Sequence, residues 1–265
     1  MGRCTIRNLM MIVAVAAVCF AALPFVGALT QMRTCVASPL TDCESNIHNV
    51  ALSMMSYENV NGSFPSGTVP NADLQTAERL SLYPPVTPYM ECQDLYDRID
   101  QMLPWDGGVN RAVASQKIGI LVCPLASPVT APAVQPTTTI GIAGLGTDAP
   151  ILPKTHPRAG IFGYDRTTST ADIKDGASTT MMLAESGVVV GSWLQGGPAT
   201  IRGLDPARKP YIGPGRQFGG LHDGVAVFAM ADGSVRVVSE SVDPKVFEAM
   251  STIAGGENLR ADRDE

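Results

Sequence analysis

Charged residues are scarce in this sequence, and the basic ones form no cluster. Only 17% of its 265 residues are charged, with 19 Lys and Arg against 25 Asp and Glu. Nucleic-acid binding requires a patch of positive charge, so its absence here excludes that function. Low charge is combined with 45% hydrophobic residues, a composition typical of a folded protein with a core rather than of a disordered chain.

Charge is completely absent from residues 9–29, which read LMMIVAVAAVCFAALPFVGAL. About 20 apolar residues suffice for a helix to cross a bilayer. Arg3 and Arg7 precede the stretch, so the positive-inside rule predicts a cytoplasmic flank over residues 1–8 and an extracytoplasmic chain from residue 30 onward. The sequence therefore predicts a single-pass protein of the bacterial inner membrane, held there by a transmembrane helix or signal anchor.

A cleaved signal peptide is the alternative interpretation of the same apolar stretch. Val26-Gly27-Ala28 has the small-residue pattern of a peptidase site. Cleavage near Ala28 would release a secreted or periplasmic protein. Both interpretations send the rest of the chain out of the cytoplasm.

Common catalytic and metal-binding motifs are missing as well. The sequence has no Gly-x-Ser-x-Gly elbow, no EF-hand loop, no complete phosphate loop and no Cys-x-x-Cys pair. We therefore expect no enzyme, no catalytic residue and no resident cofactor. Calcium stays open as a ligand, because Asp172, Asp175 and Glu185 surround one predicted turn and calcium prefers oxygen ligands, although turn formation alone explains these carboxylates.

Four cysteines follow the apolar segment. In an oxidising compartment Cys35, Cys43, Cys92 and Cys123 are candidates for one or two disulfides, and the sequence does not choose among the three pairings. Only His48 lies near any of them in the sequence, which is weak support for a zinc site. Small buried thiols are the simplest alternative.

The remaining pattern predicts a linker over residues 30–42, an extracytoplasmic domain over 43–254 and a flexible tail over 255–265. Apolar residues at spacings of three and four predict a helix near residues 44–60, ended by Asn61-Gly62. A second helix is expected over Met90–Met102 and a strand over Ile118–Val122. Pro, Thr and Gly predict irregular loops over residues 124–160.

The C-terminal half has strand-like sequence, and its clearest element is a hairpin at Asp232-Gly233, a typical two-residue turn. That turn would pair Phe228 with Val237 and place His222 opposite Asp243. A structural His–Asp hydrogen bond is then expected, rather than a hydrolase that uses His222 with Ser239 or Ser241. Pro244 is expected to end the hairpin and to begin a closing helix that reaches Ile253.

The chain resembles the uncharacterised bacterial H-X9-DG proteins with a prepilin-type N-terminus. His222 and Asp232-Gly233 have the required spacing. The other residues that carry the resemblance fall in a helix and its following loop, a middle segment and a strand region: Cys43, Asn46, Leu52, Tyr57, Gly62, Phe64 and Pro65; Leu103, Pro104, Trp105, Asp106, Asn110, Cys123 and Pro124; Asp175, Gly176, Ser178, Thr180 and Glu185.

This resemblance implies an α+β, pilin-like or pseudopilin-like fold, with an N-terminal hydrophobic helix followed by an antiparallel sheet and loop-rich insertions. The expected role is structural assembly or surface interaction at the envelope, with the membrane and with itself or other pilin-like subunits as partners. A module that binds a small solute or calcium is the alternative. The prepilin processing Gly and membrane Glu are absent here, since Arg3 to Asn8 stand in their place.

Overall fold

The first element of the computed structural model, which describes residues 38–126, 134–188 and 191–256, is helix α1 (Pro39–Asn61). Ser38 caps it, because its hydroxyl accepts a hydrogen bond from the Leu40 N–H. Pro39 stands in the first turn, where a missing N–H has no cost. The helix therefore begins earlier than predicted, and residues 39–42 are helical rather than linker. Gly62 ends it in the left-handed conformation, as predicted.

Five strands form one mixed sheet in the order β3-β1-β2-β4-β5. Their bounds are β1 Thr139–Leu145, β2 Met181–Glu185, β3 Ile201–Leu204, β4 Val225–Met230 and β5 Val235–Ser239. The fold is α+β, but the prediction of an antiparallel sheet is wrong for β3, which runs parallel to β1. Because β4 occupies the second edge of β2, the chain after β2 crosses to the free edge of β1.

The middle of the chain differs most from the prediction. The helix expected over Met90–Met102 is reduced to α2 (Gln93–Tyr96), after a 3₁₀ segment at Pro84–Met90 that is rich in proline. The expected strand over Ile118–Val122 contains a 3₁₀ turn, and an unpredicted helix, α3, spans Gly108–Ala114. Strand β1 lies within the region expected to be irregular. The sequence did not predict this strand because almost all of its residues are buried, so it lacks an alternating pattern.

The predicted hairpin exists, but its register is shifted by one residue. Val227 pairs with Val237, and Phe228 pairs with Arg236 instead of Val237. The loop has three residues, 231–233, closed by Met230 N–H donating to the Ser234 carbonyl at 2.8 Å. Gly233 has a φ of 82°, which fits the left-handed residue of a three-residue loop. Helix α4 (Pro244–Ala249) follows and stops short of Ile253.

Two apolar clusters cover the two faces of the sheet. The helix-side core contains the buried face of α1 with Val227 and Ala229 of β4. The aromatic core contains Phe228 and Met230 of β4 on the opposite face, together with three aromatic residues: Tyr211, Phe218 and Phe247. Because alternate residues of β4 enter different clusters, both faces of this central strand are buried.

Within the described part of the chain, no helix is both long enough and apolar enough to cross a membrane. The predicted flank over residues 1–8, the apolar segment 9–29 and the cleavage site near Ala28 lie outside that part. Most of the predicted linker and the tail from residue 257 also lie outside it. The transmembrane anchor stays a prediction from the sequence.

Candidate functional site

Four side chains with metal-binding chemistry meet beneath α1. Cys43 comes from α1, Cys123 follows the 3₁₀ turn before β1, Glu185 ends β2, and His222 precedes β4. One sulfur, nitrogen or oxygen atom of each lies within 4.8 Å of the others. All four residues are buried. We call this group the Cys-Glu-His cluster.

Cys43 and Cys123 are joined by a disulfide across 80 residues of sequence, with a Cα–Cα distance of 5.5 Å. This distance is ordinary for a disulfide. The bond selects one pairing from those that the sequence left open. Cys92 has no disulfide partner among the described residues, and burial raises the pKa of its thiol. Cys35 lies outside the described residues.

Hydrogen bonds of Thr138 fix the Cys123 loop beside the end of β2. The Cys123 N–H donates to the Thr138 hydroxyl at 2.7 Å, and the Ser186 N–H donates to the Thr138 carbonyl at 2.8 Å. The Gly219 N–H donates to the Glu185 carbonyl at 2.9 Å, which attaches the segment that leads into His222. These hydrogen bonds therefore bring Cys123 and His222 to Glu185 from two different loops.

The His222 ring faces two members of the cluster through one atom. Its Nε2 lies 3.2 Å from Oε1 of Glu185 and 3.6 Å from the sulfur of Cys123. Despite the ion-pair distance, neither carboxylate oxygen of Glu185 has a hydrogen bond of standard geometry within the described residues. Burial raises the pKa of Glu185, and the His222 ring and the Val227 N–H oppose this shift. Glu185 is thus a buried carboxyl group with spare acceptor capacity.

A small void of about 10 Å³ adjoins the cluster, and its lining includes Cys43, Cys123 and Glu185. A cavity of this size has room for about one water molecule or one ion. It is too small for an organic ligand. The predicted small-solute module would therefore need a different pocket.

The predicted His222–Asp243 hydrogen bond is wrong. The one-residue shift of the hairpin changes which side chains face each other. The carboxylate of Asp243 instead accepts from the Lys245 N–H at 2.7 Å and caps α4, while His222 turns to Glu185. The hydroxyls of Ser239 and Ser241 bond each other at 2.8 Å on the surface.

The Asp232-Gly233 pair of the H-X9-DG motif makes local and helix contacts. Oδ1 of Asp232 accepts from the Ser234 N–H at 2.9 Å, which holds the turn. The Gly233 carbonyl lies 3.0 Å from Nδ1 of His48 on α1. The turn therefore docks on α1, the helix that also carries Cys43. Both ends of the motif thus lie on the helix side of the domain.

The three carboxylates considered for calcium are engaged separately. Asp172 accepts from the Ser169 N–H and pairs with Lys154, while Asp175 accepts from the Gly255 N–H at 2.7 Å. Gly176 follows in the left-handed conformation, with a φ of 97°. Glu185 belongs to the Cys-Glu-His cluster instead. Among the residues that the structure describes, these carboxylates form no common site.

A larger cleft lies on the outer side of α1. Its volume is about 400 Å³, within the range of small-molecule sites. Polar and apolar residues line it: Asn49, Leu52, Ser53, Ser56, Tyr89, Met90, Glu91 and Ile120. Sequence patterns gave no signal for this cleft, because its walls come from α1 and from two segments that were predicted as different elements.

The sequence interpretation also missed the Cys-Glu-His cluster as a group. Successive members are separated by 37 to 80 residues along the chain, so no local spacing connects them. One signal was present, since all four are among the residues that carry the family resemblance.

Comparison with known proteins places the chain in one family. The model described as "Protein of unknown function (DUF1559)" matches residues 41–202 and 192–245, which include the whole Cys-Glu-His cluster. No curated protein and no solved structure matches the chain. Because the family match covers most of the sequence, this protein belongs to the DUF1559 family, the uncharacterised prepilin-type H-X9-DG proteins.

Proposed function

We propose that this protein is a non-enzymatic envelope protein, anchored in the bacterial inner membrane by residues 9–29, whose extracytoplasmic domain acts in pilin-like assembly or surface interaction. The buried Cys43–Cys123 disulfide is the main observation that supports an extracytoplasmic location of the domain. Disulfides persist in oxidising spaces and are rare in the cytosol. The positive-inside signal of Arg3 and Arg7 favours the same side of the membrane.

The arrangement of α1 supports the pilin-like part of the proposal. This helix is the first described element after the apolar segment, and its apolar stripe packs against β2 and β4. The family resemblance implies a helix that follows a membrane segment in the sequence and packs on a sheet. The Ser38 cap is a departure, because it starts α1 as a separate helix.

The outer face of α1 offers a surface for interaction. Leu52 and Val60 are 44% and 69% exposed there, and the cleft of about 400 Å³ adjoins Leu52. Exposed apolar residues beside a cleft favour contacts with another protein surface. We expect this face to contact a second copy of the chain or another pilin-like subunit.

Membrane anchoring is tested by alkaline extraction of membranes, followed by N-terminal sequencing of the mature protein. The full chain should stay in the membrane pellet with residues 9–29 intact. Replacing Val15 and Val18 by Arg should release it or prevent its insertion, because each Arg near a helix centre costs about 3 kcal/mol on insertion. Replacing the same residues by Leu is the matched control. A soluble protein that begins near Leu29 would overturn the anchor.

Assembly is tested separately, by crosslinking in intact membranes from Leu52. A photoreactive residue at this position should give a dimer-sized adduct or a defined heterologous adduct. The same residue at Lys245, which lies on α4 at the other side of the sheet, is the control. Equal adduct yields from both positions would reject α1 as the contact surface.

A small-ligand binding module is the second candidate, favoured by the volume of the cleft on α1. Its polar lining residues include Ser53, Ser56 and Glu91. A thermal-shift screen of amino acids, sugars and short peptides should then give a hit that Ser56→Trp abolishes. Ser115→Trp, at the half-buried residue that follows α3, is the matched control.

A further inference from the structure

We propose that the Cys-Glu-His cluster binds one divalent metal ion of the zinc class when the Cys43–Cys123 disulfide is reduced. The same two sulfur atoms would then serve either as a covalent cross-link or as a pair of thiolate ligands. The two states exclude each other, because a sulfur in a disulfide is not a thiolate. This proposal does not depend on the assembly role.

The donor set suits zinc. Two thiolates, one imidazole nitrogen and one carboxylate oxygen supply four ligands of the types that bind Zn²⁺. Thiolate ligands select against Mg²⁺ and Ca²⁺, which prefer oxygen. The site shares only Glu185 with the calcium site considered from the sequence, because its other ligands are two sulfur atoms and one nitrogen atom.

Two of the spacings between donor atoms match those around a tetrahedral ion. With zinc–nitrogen, zinc–oxygen and zinc–sulfur bonds of ordinary length, neighbouring nitrogen and oxygen ligands lie about 3.3 Å apart, and nitrogen and sulfur about 3.5 Å apart. Nε2 of His222 lies 3.2 Å from Oε1 of Glu185 and 3.6 Å from the Cys123 sulfur. One nitrogen therefore faces two other ligand atoms at ligand-to-ligand distances.

Two independent observations indicate that the cluster is incomplete without a further partner. Glu185 is only 4% exposed, yet both of its carboxylate oxygens lack a hydrogen bond of standard geometry within the described residues. A buried carboxyl group whose oxygens are incompletely hydrogen-bonded is costly, even with the His222 ring beside it. The adjoining void of about 10 Å³ has room for a single ion, and its lining includes Glu185 and both cysteines but not His222.

The chemical step is a thiol–disulfide exchange with a dithiol reductant. A reductant thiolate attacks one sulfur of the Cys43–Cys123 bond, and its second thiol then resolves the mixed disulfide. The S–S bond breaks and both cysteines become thiols, while the two reductant sulfurs form a disulfide. Metal binding then displaces the two thiol protons.

The experiment measures Co²⁺ binding to the full chain, purified in detergent and reduced under nitrogen. Cobalt replaces zinc as the probe because tetrahedral cobalt thiolates absorb visible light, whereas zinc does not. A background with C4S, C19S, C35S and C92S leaves Cys43 and Cys123 as the remaining thiols. We expect one Co²⁺ per chain, a thiolate-to-cobalt charge-transfer band, and displacement of cobalt by Zn²⁺.

Single substitutions then test the other two ligands. His222→Ala removes one donor, whereas Glu185→Gln replaces the carboxylate oxygen with a neutral amide oxygen, and both variants keep the two cysteines. We expect His222→Ala to weaken Co²⁺ binding more than about 100-fold, and Glu185→Gln to weaken it less and to change the d–d bands. His48→Ala is the matched control, because His48 bonds to Gly233 outside the cluster, and its affinity should equal that of the parent chain.

Loss of folding is separated from loss of a ligand by preparing each variant in its oxidised form. Circular dichroism and thermal melting check the fold before reduction, and only variants that keep the parent spectrum after reduction are scored. The proposal is overturned if the reduced parent binds no cobalt, or if His222→Ala binds it as tightly as His48→Ala. Cobalt binding by the oxidised parent with the same spectrum would overturn it too.

Discussion

The two faces of the sheet are covered by different kinds of core. On one face α1 brings a disulfide, a buried carboxyl group and a buried imidazole into contact with apolar side chains. On the other face the aromatic core packs Phe218, Phe228 and Phe247 with ring centroids 5.3–6.0 Å apart. Titratable and redox-active side chains are thus concentrated on the helix side, while the aromatic core stabilises the sheet by packing.

This difference indicates how stability and chemistry are separated in the fold. The aromatic core needs no redox condition, so it should hold the sheet whether Cys43 and Cys123 are bonded or not. On the helix side, a disulfide links α1 to the Cys123 loop in addition to the apolar packing of α1. Changes to the aromatic core should therefore act in every redox state, and changes to the disulfide should act mainly on the docking of α1.

The largest effect is expected from Phe228→Ala. This fully buried ring contacts Phe218 and Phe247, and its removal leaves a cavity that costs about 4 kcal/mol of unfolding free energy. Urea unfolding should show the same loss with and without reductant. A loss that appears only in the reduced chain would contradict the separation of the two cores.

The next largest effect is expected from replacing both Cys43 and Cys123 by Ala, measured in metal-free buffer with chelator. A disulfide typically contributes about 3 kcal/mol of unfolding free energy. The loss should match that caused by reducing the parent chain, and C92A should change little, since Cys92 has no disulfide partner among the described residues. Hydrogen exchange should localise the loss to α1 rather than to β4.

Local sequence signals predicted the parts of this fold that local interactions decide. Helix α1 and its Gly62 end, strand β2, both strands of the hairpin and the start of α4 follow from patterns within a few residues. The hairpin register did not, because the loop takes in Ala231 as a third residue. Strands β1 and β3 were missed, since one is buried almost throughout and the other has only four residues paired across a crossover.

A smaller effect should distinguish the turn of the H-X9-DG motif from an ordinary glycine turn. Gly233 and Gly224 both have positive φ, at 82° and 67°. A Cβ on Gly233 would lie 2.6 Å from the sulfur of Met55 on α1, whereas a Cβ on Gly224 would meet nothing within 4 Å. Backbone strain should cost G224A about 1 kcal/mol, and G233A about 2 kcal/mol because Met55 must also move.

Chemical denaturation of the two glycine variants makes this comparison directly. We expect G233A to be the less stable protein. If M55A reduced the difference between the two variants, the contact with α1 would be its source. Equal losses from G233A and G224A would mean that the turn is not seated against the helix.

The smallest effect is expected at the rim of the helix side, from Asp172→Asn. The Ser169 N–H and Lys154 hold the pKa of Asp172 at about 2, below its ordinary value of 3.8. A lowered pKa stabilises the folded state above pH 3.8, and this contribution is lost as the pH falls from 3.8 through about 2. Since the carboxylate is partly exposed, we expect about 1 kcal/mol at neutral pH.

Unfolding of the parent and D172N chains across the acid range checks this assignment. The difference in stability should be constant at neutral pH and should shrink below pH 3.8. Asp165→Asn is a useful control, because Asp165 pairs with Arg79 at an exposed position. A difference between parent and D172N that grows as the pH falls would contradict the assigned hydrogen bonds.

The candidate site was less predictable than the fold. The sequence singled out each member of the cluster, but for different reasons. Cys43 and Cys123 were candidates for disulfides, Glu185 for a calcium site, and His222 for a hydrogen bond to Asp243. Their meeting depends on the crossing of α1 over β2 and on two loops fixed by Thr138 and Gly219. Such contacts join distant segments, so periodicity and local spacing carry no information about them.

The compartment of the domain is the claim on which the proposed function depends, and labelling of Val60→Cys tests it most directly. Val60 is 69% exposed on α1, so a cysteine there is open to a membrane-impermeant maleimide. In spheroplasts of cells expressing the full chain, we expect V60C to take up one more label than the parent chain before lysis. Extra label that appears only after the membrane is broken would place the domain in the cytoplasm and contradict the account.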